Sequence, residues 1–159
     1  MIERFGGFDT WINNAGSSVW GRLGDVSDED HQRVMQTNFW GTFYGSSIAA
    51  AHLRPRGGSI INIGSLESVV ALPFHASYSA SKHAVKALTD VLRLEMAGTP
   101  VKVILIEPGP IASRIRANAI PHFERWVDWQ NSVRADEYRA SLLKRLYEPA
   151  AKKDRFELP

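Results

Sequence analysis

A parallel α/β fold is predicted by three observations. Short β-branched segments alternate with long helical patterns, as in βαβ units. Each short segment ends in an Asn, Gly, Ser or Pro cluster. The third segment is almost continuously apolar, as a strand covered on both faces should be. No internal repeat or low-complexity tract competes with this reading. The 159 residues suit one domain with a substantial core.

The first strand is read at residues 8–12, after Gly6-Gly7 and before Asn13-Asn14-Ala15-Gly16. A Gly- and Ser-containing loop follows. Ser27, with Asp30 three residues on, has the pattern of a helix N-cap and capping box. The helix behind it is expected to reach about His52, with Val34, Met35, Phe39, Phe43 and Ile48 on roughly one face. Arg54-Pro55-Arg56-Gly57-Gly58 then turns the chain. The second strand is read at 59–63, and Gly64-Ser65 opens a loop that reaches Pro73. A second helix is expected from 75–77 to Gly98, with Ala84, Val85, Leu88, Val91, Leu92 and Leu94 spaced by threes and fours. The third strand is read at 101–106 and is broken by Pro108-Gly109-Pro110. Residues 121–148 read as helical, with Trp126 and Trp129 on one side. The polar end, 149–159, reads as frayed.

Helical crossovers make these strands parallel, so their C-terminal ends share one edge of the sheet. Asn13 to Gly16, Ser65 and Pro108-Gly109 each follow a strand directly. That edge is where open α/β sheets bind ligands.

Composition narrows the function classes. A 44% hydrophobic and 23% charged content is that of an ordinary globular protein. The absence of cysteine rules out disulfides and thiolate metal sites, and fits a reducing cytoplasm. The five histidines form no close i, i+4 pair, so no metal site is expected. With no basic-then-apolar leader and no membrane-spanning run, a cytoplasmic location off the membrane is expected. The formal charge is only +2, and the basic excess after Ser113 is small and interspersed, so nucleic acid is not an expected partner.

The strongest chemical signal is Tyr78-Ser79-Ala80-Ser81-Lys82. Positions i and i+4 share a helix face, so the ammonium lies one turn from the phenol. A tyrosine ionises near pH ~10, and a nearby cation lowers that value towards a useful range. The pair alone is ordinary surface decoration. Ser65 alone is a turn cap, Asn38 alone a polar helix residue, and Asn13 to Gly16 alone a tight turn.

Together these elements, in this order and at these spacings, resemble the classical short-chain dehydrogenase/reductase family. Ser65 lies 13 residues before Tyr78, Asn38 lies 27 before Ser65, and Pro108-Gly109 follows the next strand. The resemblance covers about residues 1–115. It implies the C-terminal half of a Rossmann-type doubly wound parallel sheet, with 116–159 as a helical substrate-loop and C-terminal segment of the same domain. It also implies NAD(P)-dependent hydride transfer between nicotinamide and a carbonyl or alcohol.

Tyr78 would then be the acid/base, and Lys82 would depress its pKa and bind the nicotinamide ribose. Ser65 would polarise the substrate oxygen, and Asn38 would hold a water in a proton relay. Asn13, Ala15, Gly16, Pro108, Gly109, Ile111 and Ser113 would line the cofactor cleft, with Tyr78 and Lys82. Glu67, Val69, Phe74, His75 and residues 114–130 are candidates for the substrate pocket. Family members pair through the two long helices, which implies a homo-dimer or homo-tetramer for a full-length protein.

The family's glycine-rich T-G-x-x-x-G-x-G segment and its NAD-or-NADP selector have no counterpart in the chain. The first strand's outer edge is therefore expected to be bare, and the chain marginal in stability and weak or inactive as a catalyst. A non-catalytic remnant and an assembly or binding module are the alternatives.

Overall fold

The structure is a computed structural model that describes residues 2–111 and 113–147. After the short helix α1 (Ile2–Phe5), three strands form one parallel sheet: β1 (Thr10–Asn13), β2 (Gly58–Ile63) and β3 (Val101–Ile106), in the order β1-β2-β3. Trp11 pairs with Ile60 and Asn13 with Asn62, while Ile63 pairs with Ile106. Among the described residues β1 has one neighbour, so its outer edge is open, as expected.

The β1–β2 crossover is one long helical run. It begins as α2 (Asp28–Met35), passes through a π-turn (Gln36–Trp40) and continues as α3 (Gly41–Leu53). Ser27 caps it, its hydroxyl accepting the Asp30 amide at 3.3 Å. The Asp30 carboxylate turns to Arg33 instead of completing a capping box. The β2–β3 crossover is α4 (Ala76–Glu95).

Both crossovers cover the same face of the sheet, as right-handed connections between consecutive strands must. Leu53, Ala49, Leu92 and Met96 there pack against Ile60, Val101 and Val103. Each large aliphatic group buried in this layer contributes about 1.5–3 kcal/mol.

Three sequence expectations fail here. Among the described residues the opposite face of β3 is uncovered: Ile104 and Ile106 are exposed, as is Ile12 on β1, across β2. The helix face that packs inward is not the apolar one. It carries Asn38, Thr42, Gly45, Ser46, Ala49 and Leu53, whereas Phe43 and Ile48 point outward. On α4, likewise, Val91 and Leu94 face away from the core.

The third concerns residues 121–148, which are not one helix. Helix α5 (Ile115–Trp126) starts earlier and ends at Trp126, and Trp129 opens a separate 3-10 turn (Trp129–Asn131). Then come α6 (Ala135–Glu137), a π-turn (Tyr138–Leu142) and α7 (Leu143–Tyr147). Residues 148–159, read as the end of that helix and a frayed tail, lie outside the described residues.

This C-terminal segment packs on the loop after β1. Phe123, Tyr138, Leu142 and Leu146 share a core with Val19, Trp20 and Val34. The Tyr138 hydroxyl accepts the Arg22 amide and donates to Asp25, both at 2.8 Å. No helix among the described residues is long and apolar enough to cross a membrane.

Candidate active site

The loops that follow β2 and β3 are stitched together. Gly64 N–H donates to the Ile106 carbonyl at 2.8 Å, and Leu66 N–H donates to the Pro108 carbonyl at 2.9 Å. Ser65 caps a 3-10 turn (Leu66–Ser68), with its hydroxyl oxygen accepting Glu67 N–H at 3.1 Å. That leaves the Ser65 hydroxyl proton free to be donated onward. The Tyr78 phenol, on the first turn of α4, lies near enough to the Ser65 hydroxyl for that group to lower its pKa.

Lys82 follows one helical turn later and is almost fully buried. Its Nζ donates to the Ile63 carbonyl at 2.8 Å and lies 5.7 Å from the centre of the Tyr78 ring. Burial pushes the amine down to about 8. The phenol does not follow the expected direction. Burial raises its pKa above the ordinary tyrosine value, the Ser65 hydroxyl lowers it, and the Glu67 charge raises it again. Burial and the Glu67 charge together favour the neutral phenol over phenolate.

Asn38 sits on the π-turn and is buried. Its Oδ1 accepts Ser17 N–H at 2.8 Å, and its Nδ2 donates to the Ser17 carbonyl at 3.0 Å and to Ser81 Oγ at 2.9 Å. The amide thus ties the loop after β1 to the helix that carries Tyr78 and Lys82. Ser17 and Ser81 were not anticipated. Ser81 carries a signal in hindsight, since it lies between the tyrosine and the lysine on the same helix.

Asn13 is brought to the same edge, but its side chain turns inward. It accepts Trp11 Nε1–H at 2.8 Å and donates to Asn62 Oδ1 at 2.8 Å and Ser46 Oγ at 3.0 Å. Asn62 is wholly buried and passes the network on to Thr89 at 2.9 Å. Asn13 therefore has only its backbone to offer a ligand. Ala15 and Gly16 are exposed above the site. A Cβ on Gly16 would stand 3.7 Å from Asn38 Oδ1 and 4.0 Å from Lys82 Nζ, so its backbone lies directly over both. Pro108 is half-buried, Gly109 and Ile111 are exposed, and Ser113 accepts the Ile115 amide at 3.4 Å near the start of α5.

Residues Glu67 and His75 of the expected substrate wall are buried and paired, with His75 Nδ1 2.9 Å from Glu67 Oε1. The His75 ring lies 4.4 Å from the Trp20 ring and 6.2 Å from the Tyr78 ring, and its Nε2 has no partner. Phe74 has a left-handed backbone and packs towards Tyr138. Val69 is exposed. No group of three potential metal ligands occurs among the described residues.

The short chain dehydrogenase family matches residues 1–122 of this sequence. The chain belongs to that family. Over 128 residues it is 38% identical to the uncharacterized oxidoreductase YxnA of Bacillus subtilis, covering 78% of this chain and 36% of that protein. It is 37% identical to dehydrogenase/reductase SDR family member 7B of Bos taurus, covering 76% of this chain and 37% of that protein.

Among solved structures it resembles a Burkholderia cenocepacia gluconate 5-dehydrogenase in complex with NADP and tartrate. There the TM-score is 0.70 and the identity 31%, over 72% of this chain and 46% of that one. The acetoin dehydrogenase YohF of Salmonella typhimurium gives a TM-score of 0.67 and 34% identity, over 70% and 45%. The chain thus spans less than half the length of these short-chain dehydrogenase relatives. The expectations of a Rossmann-like α/β fold and of membership in the short-chain dehydrogenase family hold.

Proposed function

We propose that this chain carries the acid–base half of an NAD(P)-dependent dehydrogenase acting on a carbonyl or secondary alcohol. One observation supports this best: Ser65, Tyr78 and Lys82 lie along one sheet edge, with Asn38 bonded into the same helix. The bound nicotinamide would supply or accept the hydride. The residues fit such a group. Gly16 leaves an open backbone surface over Lys82, whose ammonium has three donors and spends one on Ile63. The remaining two suit the vicinal hydroxyls of a ribose. Pro108, Gly109, Ile111 and Ser113 would edge the same cleft.

Tyr78 gives its proton to the carbonyl oxygen as reduction proceeds, and takes it back in oxidation. Ser65 donates to the same oxygen and stabilises the charge that develops there. Asn38 holds the π-turn against Ser17, where its carbonyl accepts the Thr42 hydroxyl at 2.8 Å and keeps a second lone pair for a water. Such a water would extend the relay from Lys82 to solvent.

The test is saturation-transfer NMR of the 159-residue chain with NADH and NADPH, followed by turnover assays with secondary alcohols and their ketones. Contact of the nicotinamide ribose with the chain, weakened by Lys82→Met, is the expected result. Any turnover should vanish in Tyr78→Phe. Absence of cofactor contact, or turnover that survives Tyr78→Phe, overturns the reading. Weak or no turnover by the wild-type chain is expected in either case.

A second reading, assembly, rests on the outward face of α3. Phe43, Tyr44 and Ile48 are exposed there, joined by Trp40 at the end of the π-turn, which stacks on Tyr44 at 5.8 Å. Such a patch fits self-association into a dimer or tetramer.

A further inference from the structure

Glu67 is an acid that the chemistry above does not use, two residues after Ser65, and nearly all of it is buried. Its two carboxylate oxygens reach to opposite sides of Tyr78. Oε2 accepts the Ser79 hydroxyl at 2.6 Å, and Oε1 is 2.9 Å from His75 Nδ1. Ser79 directly follows Tyr78, and His75 lies three residues before it, at the N-terminus of α4. The carboxylate therefore spans the helical turn that carries the phenol, from a 3-10 turn capped by Ser65.

We infer that Glu67 is a positioning residue, a buried clamp that holds the Tyr78 turn of α4 against the Ser65 turn and so fixes the phenol at the serine hydroxyl.

Burying a carboxylate is costly unless it is paired and hydrogen-bonded, and this one meets both conditions through His75 and Ser79. The Ser65–Ser68 capping box holds one end of the clamp. The Pro108 carbonyl anchors it to the next loop through Leu66 N–H. The charge has a second effect. A fixed anion beside a phenol disfavours phenolate, which matches the raised Tyr78 pKa. The groups facing the phenol are Ser65 and Glu67 from the 3-10 turn, and His75 and Lys82 from α4 and its cap. Glu67 thus favours the proton-donating state, the one needed for carbonyl reduction.

The inference rests on Tyr78 and Ser65 being the reacting pair. Its test compares Glu67→Gln and Glu67→Ala in the 159-residue chain by two measurements. One is the ionisation of Tyr78, followed by NMR of 13C-labelled tyrosine and assigned with Tyr78→Phe. The other is amide hydrogen exchange. Glutamine keeps both hydrogen bonds, its amide donating to the other tautomer of His75, but loses the charge. The Tyr78 midpoint should therefore fall in Glu67→Gln while exchange protection stays.

Alanine should instead speed exchange at 66–69 and 78–80 together by about tenfold or more, with the distal half of α4 unchanged. Wild-type protection in Glu67→Ala overturns the clamp and leaves the site reading intact, and an unmoved Tyr78 midpoint in Glu67→Gln overturns the effect assigned to its charge. A wild-type midpoint at the free-tyrosine value near pH ~10 overturns both, because the phenol would then stand in water.

Discussion

At the scale of single residues, Lys82 shows what the site costs. Its ammonium is buried on one carbonyl, and its pKa is pushed down to about 8 against an ordinary 10.5. Below pH 8 the folded chain carries the full cost of holding the charged form. Between about 8 and 10.5 the folded state sheds its proton first, so this cost shrinks as the pH rises. Lys82→Met should therefore stabilise the chain at pH 7 by about 1 kcal/mol, discounted for residual solvent contact. The gain over wild type should fade towards pH 10.5. Urea unfolding of both chains at several pH values checks this, and a gain that does not fade would place the cost elsewhere.

At the scale of elements, the strands and α4 were legible in the sequence because apolarity and period agreed there. The three strand segments are found within two residues of their expected ends. The long crossover misled because its inward stripe is small and polar. At Gly45 a Cβ would come within 2.8 Å of Trp11 Nε1, and closer still to Asn13, so the helix needs glycine to approach the sheet. Asn38 and Thr42 are buried for their hydrogen bonds, and a hydrophobicity pattern cannot see that.

The candidate site was legible residue by residue from its spacing. Its hydrogen-bonded supports, Ser17, Ser81 and Asn62, were not, because polar pairing between distant segments leaves no periodic trace. Helix α5 started earlier than expected and tolerates Pro121 in its interior. That proline withholds an N–H from the helix ladder. Pro121→Ala should therefore raise stability by about 1–3 kcal/mol, seen as a higher thermal midpoint. A lower midpoint would mean that the ring packs productively.

At the scale of the whole molecule, the sheet formed by the described residues is covered on one side and open on the other, with β1 open at its edge. The α3 aromatic patch adds a further apolar surface. Sedimentation of the wild-type chain should show association that grows with concentration, and Trp40→Glu should shift it towards monomer. If Trp40→Glu sediments like wild type, the open sheet rather than α3 carries the association.

The Asn13–Asn62 contact has a consequence for how such an exposed strand stays correctly paired. The two residues are register partners on adjacent strands, and their amides bond each other across the ladder. Sliding β1 by one residue would turn Asn13 to the other face of the sheet and strip the buried Asn62 of a partner. The pair acts as a key. A four-residue strand with one neighbour among the described residues would otherwise be free to slip, and here one alignment alone satisfies the buried amides.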